Sequence, residues 1–142
     1  VERHLIEAGD KWAKRRAESF DRVLVDAPCT GTGTWRRNPD ARLRLAEQDL
    51  LELVPKQAAI LAAAARLVRK GGRLVYATCS VLLEENEHQN AAFLAAHPDF
   101  RAVPLGEAWP GAAPPNPGEH LSLTPRRHGT DGFFTAVLER AA

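Results

Sequence analysis

Apolar positions along the 142 residues fall into short runs separated by glycine, proline and charged stretches. Residues 1–6 (VERHLI) mix apolar and polar positions and predict a short strand, ended by Ala8-Gly9-Asp10. Residues 11–19 are polar and basic and predict a loop or one exposed helical turn. Residues 20–25 (FDRVLV) are dense in branched and large apolar side chains and predict a buried strand. Pro28, Gly31 and Gly33 punctuate the loop that follows, and residues 34–44 are basic and irregular. The strongest helical pattern covers residues 46–69, where Leu50, Leu53, Val54, Ile60, Leu61, Ala64, Leu67 and Val68 keep helical spacing. Pro55 lies inside that pattern and lacks a backbone donor, so a kink or two abutting helices is expected there.

Lys70-Gly71-Gly72 has the composition of a helix stop, and residues 73–77 (RLVYA) predict a second buried strand with Thr78-Cys79-Ser80 at its carboxyl end. Residues 84–97 predict a helix whose first-turn acids compensate its dipole and which Pro98 closes. A weaker strand is expected over residues 100–105. Residues 107–127 carry Pro110, Pro114, Pro115, Pro117 and Pro125 and predict a long loop; residues 132–139 predict a last strand. Strands alternating with helices in this order specify an α/β sheet.

Composition narrows the picture further. Apolar residues make up 44% of the chain and charged residues 26%, an ordinary globular balance. No apolar run approaches the roughly 18 residues of a membrane span, and no charged-then-apolar leader opens the chain, so a cytoplasmic location is expected. Methionine is absent even at position 1, which reads as a stretch from within a longer gene product. The net charge of +1 decides nothing about nucleic acid, but 15 of the 19 basic residues are arginine. GC-rich coding would give that bias, and so would phosphate binding by the guanidinium fork. Arg36, Arg37, Arg42 and Arg44 form one local basic cluster.

In open α/β sheets ligands bind beyond the carboxyl ends of the strands. Asp10, then Asp26-Ala27-Pro28-Cys29, then Thr78-Cys79-Ser80 fall at three such ends. Each alone has an ordinary reading: a cysteine is often a small buried hydrophobe, and an aspartate after a strand is often a turn former. If the second and third strands are parallel neighbours, Cys29 and Cys79 face one cleft. Two thiols there are a nucleophile with a helper, a redox pair, or coincidence. Their spacing is neither a zinc pattern nor a disulfide framework, and no metal site is expected.

At these residues the sequence resembles the Sun (RsmB-like) family of RNA 5-methylcytosine methyltransferases. The matching segments are FDRVLVDAPCTGTG (20–33), RRNPD (36–40), KQAAIL (56–61) with its helix and GGRLVYATCS (71–80), EENE (84–87) and HGTDGFF (128–134). The resemblance implies a Rossmann-like fold dependent on S-adenosylmethionine (SAM), with sheet order 3-2-1-4-5-7-6 and the seventh strand antiparallel. The five predicted strands correspond to 3 through 7. Strands 1 and 2, the glycine-rich cofactor loop and the acid that holds the ribose have no counterpart here, so residues 1–142 read as the C-terminal portion of one catalytic domain. An unpaired edge in such a fragment invites dimerisation or a swapped assembly.

The resemblance also implies roles. Cytosine C5 is a poor nucleophile, and a thiolate added at C6 activates it. Cys79 is then the nucleophile, Cys29 assists elimination and product release, and Asp26 holds the base edge or the cofactor ammonium. Asp10 contacts the adenine, and Pro28 shapes the turn over the base. Arg36, Arg37, Arg42 and Arg44 follow the DAPC loop directly, where they either grip RNA phosphates or form an ordinary solvated face. DNA 5-methylcytosine enzymes place their nucleophile in a Pro-Cys pair after strand 4, which would select Cys29 instead. RRNPD leans towards ribosomal over transfer RNA. The competing reading is a non-catalytic RNA- or partner-binding remnant.

Overall fold

A run of alternating large apolar residues needs a neighbour on each side of its backbone, and the computed structural model supplies one through parallel pairing. It describes residues 11–111, 113–116 and 118–142. The strand expected over residues 1–6, and Asp10, lie outside the described residues. Strand β1 (Phe20–Asp26) pairs parallel with β2 (Val68–Thr78), in a register that sets Val25 against Tyr76 and Asp26 against Ala77. Strand β5 (Phe133–Arg140) runs antiparallel on the other side of β2, and β3 (Phe100–Ala102) pairs antiparallel with β5. The order β1-β2-β5-β3 corresponds to the 4-5-7-6 portion of the expected sheet, with its seventh strand antiparallel.

Helix α1 (Lys11–Arg15) is one exposed turn, and α2 (Asp40–Arg44) follows the loop after β1. Helix α3 (Glu47–Ala65) starts where the Asp49 carboxylate accepts the Ala46 N–H at 2.9 Å, half of a capping box. Its buried residues Gln57, Leu61, Ala64 and Ala65 recur at helical spacing and lie on the sheet. Pro55 sits inside one continuous helix, not between two. It shares the exposed face with Leu51, so the carbonyl its missing N–H would have bonded faces water.

One sheet face carries the core. Val25 of β1, Leu74 and Tyr76 of β2, and Phe134, Ala136 and Leu138 of β5 pack with Leu61 and Ala64 of α3 and Phe93 of α4 (Glu87–Ala96). Phe93 stacks on His97 at 4.2 Å and meets Phe100 edge-on at 5.3 Å, which ties the end of α4 to β3. On the opposite face Leu24 is 69% exposed, and β1 forms the end of the sheet among the described residues.

Three expectations are corrected. The helix ends at Ala65, and Lys70-Gly71-Gly72 is a bulge within β2: the register passes from Phe20–Val68 to Arg22–Arg73 while Gly71 adopts φ 69°. The long proline-rich segment holds α5 (Leu105–Ala108), β4 (His120–Leu123) and α6 (Pro125–His128), with β4 antiparallel to β5. The helix expected over residues 84–97 is a short 3₁₀ turn, Leu83–Glu85, followed by α4, with the break at Asn86. None of the helices is long and apolar enough to cross a membrane among the described residues.

Candidate active site

Parallel pairing brings the carboxyl ends of β1 and β2 to the same edge of the sheet. The Ala27 N–H donates to the Ala77 carbonyl at 2.9 Å, which carries the pairing one residue past β1. The chain then turns through Pro28 and Cys29 while β2 runs into Cys79. The two sulfurs lie 3.4 Å apart, and both side chains are half-buried.

Two glycines let the loops approach this closely. The Gly33 N–H donates to the Cys79 carbonyl at 2.9 Å, and the Gly132 N–H donates to the Gly33 carbonyl at 2.8 Å. A Cβ on Gly33 would sit 2.7 Å from the Cys79 carbonyl oxygen. The glycines of DAPCTGTG and HGTDGFF thus meet at the segment that holds Cys79, which explains why those motifs belong to one site.

Hydroxyl groups stitch the same loops together. Thr32 Oγ1 lies 3.1 Å from Ser80 Oγ and accepts the Val81 N–H at 3.0 Å. Ser80 Oγ also accepts the Leu82 N–H at 3.0 Å, which orders the turn leading away from Cys79.

Beneath the loops lies a buried polar layer that the sequence reading missed. Glu85 is fully buried, so it is not the dipole-compensating surface acid expected of the EENE segment. Its carboxylate accepts the Thr30 N–H at 2.9 Å, the Thr30 hydroxyl at 2.6 Å and the Gln57 amide at 2.9 Å. Gln57, also fully buried, donates to the Pro28 carbonyl at 2.9 Å. The Tyr76 hydroxyl donates to the Glu85 carbonyl at 2.7 Å; burial, reinforced by Glu85, raises its pKa. The signal was present, since EENE and KQAAIL were both noted, but nothing local marks either side chain as internal.

Burial pushes the Cys29 thiol up to about 12; the Cys79 sulfur adds to the shift and the Gly31 backbone opposes it. Cys29 thus keeps its proton further into the alkaline range than an exposed cysteine would, within hydrogen-bond reach of the Cys79 sulfur.

The other described residues of the expected site lie on neighbouring segments. Asp26 and Pro28 are exposed at the end of β1. Arg36 and Arg37 are exposed, and both pair with Asp131 of HGTDGFF, at 3.8 Å in the case of Arg36. Arg42 and Arg44 are exposed on α2. A cleft of about 400 Å³ opens beside the site, with Cys29 and Thr30 on one wall, Arg44 and Leu45 on another, and Leu53 and Lys56 of α3 on a third. Arg44 thus borders the same cleft as Cys29, whereas Arg36 and Arg37 are held towards Asp131. No group of three or more His, Cys, Asp or Glu side chains is placed to hold a metal ion among the described residues.

The chain is similar to known proteins over most of its length. The family described as 16S rRNA methyltransferase RsmB/F matches residues 4–139. The ribosomal RNA small subunit methyltransferase B of Sodalis glossinidius is 46% identical over 129 residues, covering 91% of this chain and 28% of that protein. The crystal structure of PH0851 superposes with a TM-score of 0.78 at 45% identity, over 87% of this chain and 27% of the other. That of NSun6 from Pyrococcus horikoshii with SFG gives 0.67 at 29% identity, over 84% of this chain and 29% of the other. The chain spans little more than a quarter of the length of these proteins. By the family match and the shared fold, it belongs to the RsmB/F family of 16S rRNA methyltransferases.

Proposed function

We propose that these residues form the thiol half of an active site that methylates cytosine C5 in RNA, ribosomal RNA being the favoured substrate, with Cys79 as nucleophile and Cys29 as its helper. The observation that carries this reading is the 3.4 Å contact between two sulfurs carried at the ends of adjoining parallel strands. The resemblance of Thr78-Cys79-Ser80 to the segment of the RNA enzymes assigns the attacking role to Cys79, and burial, which holds the proton on Cys29, suits Cys29 to the helper's part. The matched relative named as a ribosomal RNA small subunit methyltransferase supports the choice of RNA.

The Cys79 thiolate adds to C6 of the target cytosine, and the electron pair of the C5–C6 bond becomes available at C5. SAM supplies an electrophilic methyl group when bound. After C5 is methylated, its proton passes to a base. The C5–C6 double bond then re-forms, and the C6–sulfur bond breaks with its electron pair returning to Cys79. The Cys29 thiol is placed to give its hydrogen to that sulfur as it departs, which opposes re-addition and frees the product.

The exposed Asp26 carboxylate has the charge to hold either the cytosine edge or the ammonium group of SAM, and it has no ion-pair partner among the described residues. Pro28 would shape the turn against the same ligands, and Asp10 would contact the adenine. The similarity to a protein solved with SFG, a SAM analogue, supports this cofactor. Arg36, Arg37, Arg42 and Arg44 would hold phosphates while the target base leaves its stack.

The test uses the intact enzyme with its RNA under denaturing separation. Cys79→Ala should form no covalent RNA adduct. Cys29→Ala should form the adduct and release it slowly. The reverse pattern would move the nucleophile to Cys29 and overturn the assignment.

A further inference from the structure

Both cysteines are bracketed by hydrogen bonds to their immediate chain neighbours, and the brackets come from two consecutive residues. Pro28 and Thr30 flank Cys29. The Glu85 carboxylate accepts the Thr30 N–H at 2.9 Å and the Thr30 hydroxyl at 2.6 Å, and through Gln57 it reaches the Pro28 carbonyl. Thr78 and Ser80 flank Cys79. Asn86 Oδ1 accepts the Thr78 hydroxyl at 2.6 Å, and Asn86 Nδ2 donates to the Ser80 carbonyl at 3.0 Å. Glu85 and Asn86 are both buried at the junction of the 3₁₀ turn and α4.

We propose that Glu85 and Asn86 are positioning residues that act as a yoke: Glu85 sets the place of Cys29, Asn86 sets that of Cys79, and their adjacency fixes the distance between the sulfurs. The inference rests on the assignment of the thiols above and extends it to two residues that touch neither sulfur.

The physical case is one of cost and geometry. All the donors to Glu85 are neutral, so no cation compensates the buried carboxylate. Burial of such a group is expensive unless every lone pair is used. A leucine at the same place would fill the space without holding the Thr30 amide and hydroxyl together. The arrangement holds a loop that carries a reactive side chain, and loops owe such order to fixed partners below them. Displacement of a reacting group by about 1 Å can cost up to a hundredfold in rate.

The yoke predicts that the two residues separate kinetically. In the intact enzyme with RNA, Glu85→Ala should slow release of the covalent adduct about tenfold or more while adduct formation stays close to wild type. Asn86→Ala should slow formation by a similar factor and leave release unchanged. Thr30→Val and Thr78→Val remove the same hydroxyl donors with little change of shape, and each should reproduce the defect of its partner even if the alanine variants fold poorly. The readout is the rise and decay of the adduct in a single turnover, which a merely structural role would alter in both phases together. The yoke is overturned if the four variants slow both phases alike, or slow neither, while Cys29→Ala traps the adduct. If Cys29→Ala itself releases normally, the assignment of the thiols fails and the yoke falls with it.

Discussion

Cys29 Sγ lies 3.4 Å from Cys79 Sγ across fifty positions of the chain. Two parallel strands in register, ending at the same sheet edge, create that proximity, and the glycine contact between Gly33 and the Cys79 carbonyl tightens it. The sulfurs are thus neighbours by construction of the fold. That contact lets one sulfur serve as nucleophile and the other as proton donor.

The raised pKa of Cys29 makes stability depend on pH in one direction. In the unfolded chain the thiol ionises at its ordinary value of 9.0, and in the folded chain at about 12. Between those values the folded state holds a proton that the unfolded state has lost, so stability falls as pH rises through this window. Below it both states are protonated and the contribution is constant. Cys29→Ser removes the titrating group. Denaturant unfolding at a series of alkaline pH values should show a shallower decline for the variant, and parallel declines would refute the burial argument.

Gly33→Ala tests the close approach of the two loops. The added methyl would clash with the Gly132 carbonyl and lie 2.7 Å from the Cys79 carbonyl oxygen, and neither backbone group can swing aside. The expected loss is about 1–3 kcal/mol of unfolding free energy. Adduct formation should fall as well as stability, because the displaced backbone includes that of Cys79 along with that of Gly132. An alanine variant with normal stability and normal chemistry would contradict the contact.

The arginines can be tested through salt. If Arg36 and Arg37 each neutralise a phosphate of single-stranded RNA, replacing both with alanine should flatten the slope of log affinity against log salt by about 1.4. Their shared partner Asp131 lies on the segment that also supplies Gly132, so RNA binding and the thiol loops would be linked through it. An unchanged slope would leave the two arginines as surface ion pairs.

Much of this site was readable in the sequence because it depends on strand ends. FDRVLV and RLVYA are dense apolar runs, and residues just beyond them fall at the sheet edge whatever the rest of the chain does. The parallel pairing of β1 with β2 stood only as a condition, and the antiparallel β5 came from the family resemblance, because neither register nor direction is written in an apolar run. Glu85 was not readable, because its partners Thr30 and Gln57 lie 55 and 28 positions away and an acid in an acidic run looks solvated. Strand β4 was hidden by the surrounding prolines, since its four residues owe their extension to pairing with β5 and not to local preference. Lys70-Gly71-Gly72 looked like a helix stop, and a bulge calls for the same residue type, since both need a positive φ.

The most direct test of the account identifies which sulfur bonds to the base. RNA carrying 5-fluorocytosine at the target position arrests the reaction after methyl transfer, because C5 then has no proton to lose and the C6–sulfur bond persists. Protease digestion and mass spectrometry of the trapped intact enzyme should place the nucleotide on the peptide containing Cys79. A nucleotide attached to Cys29 would contradict the account.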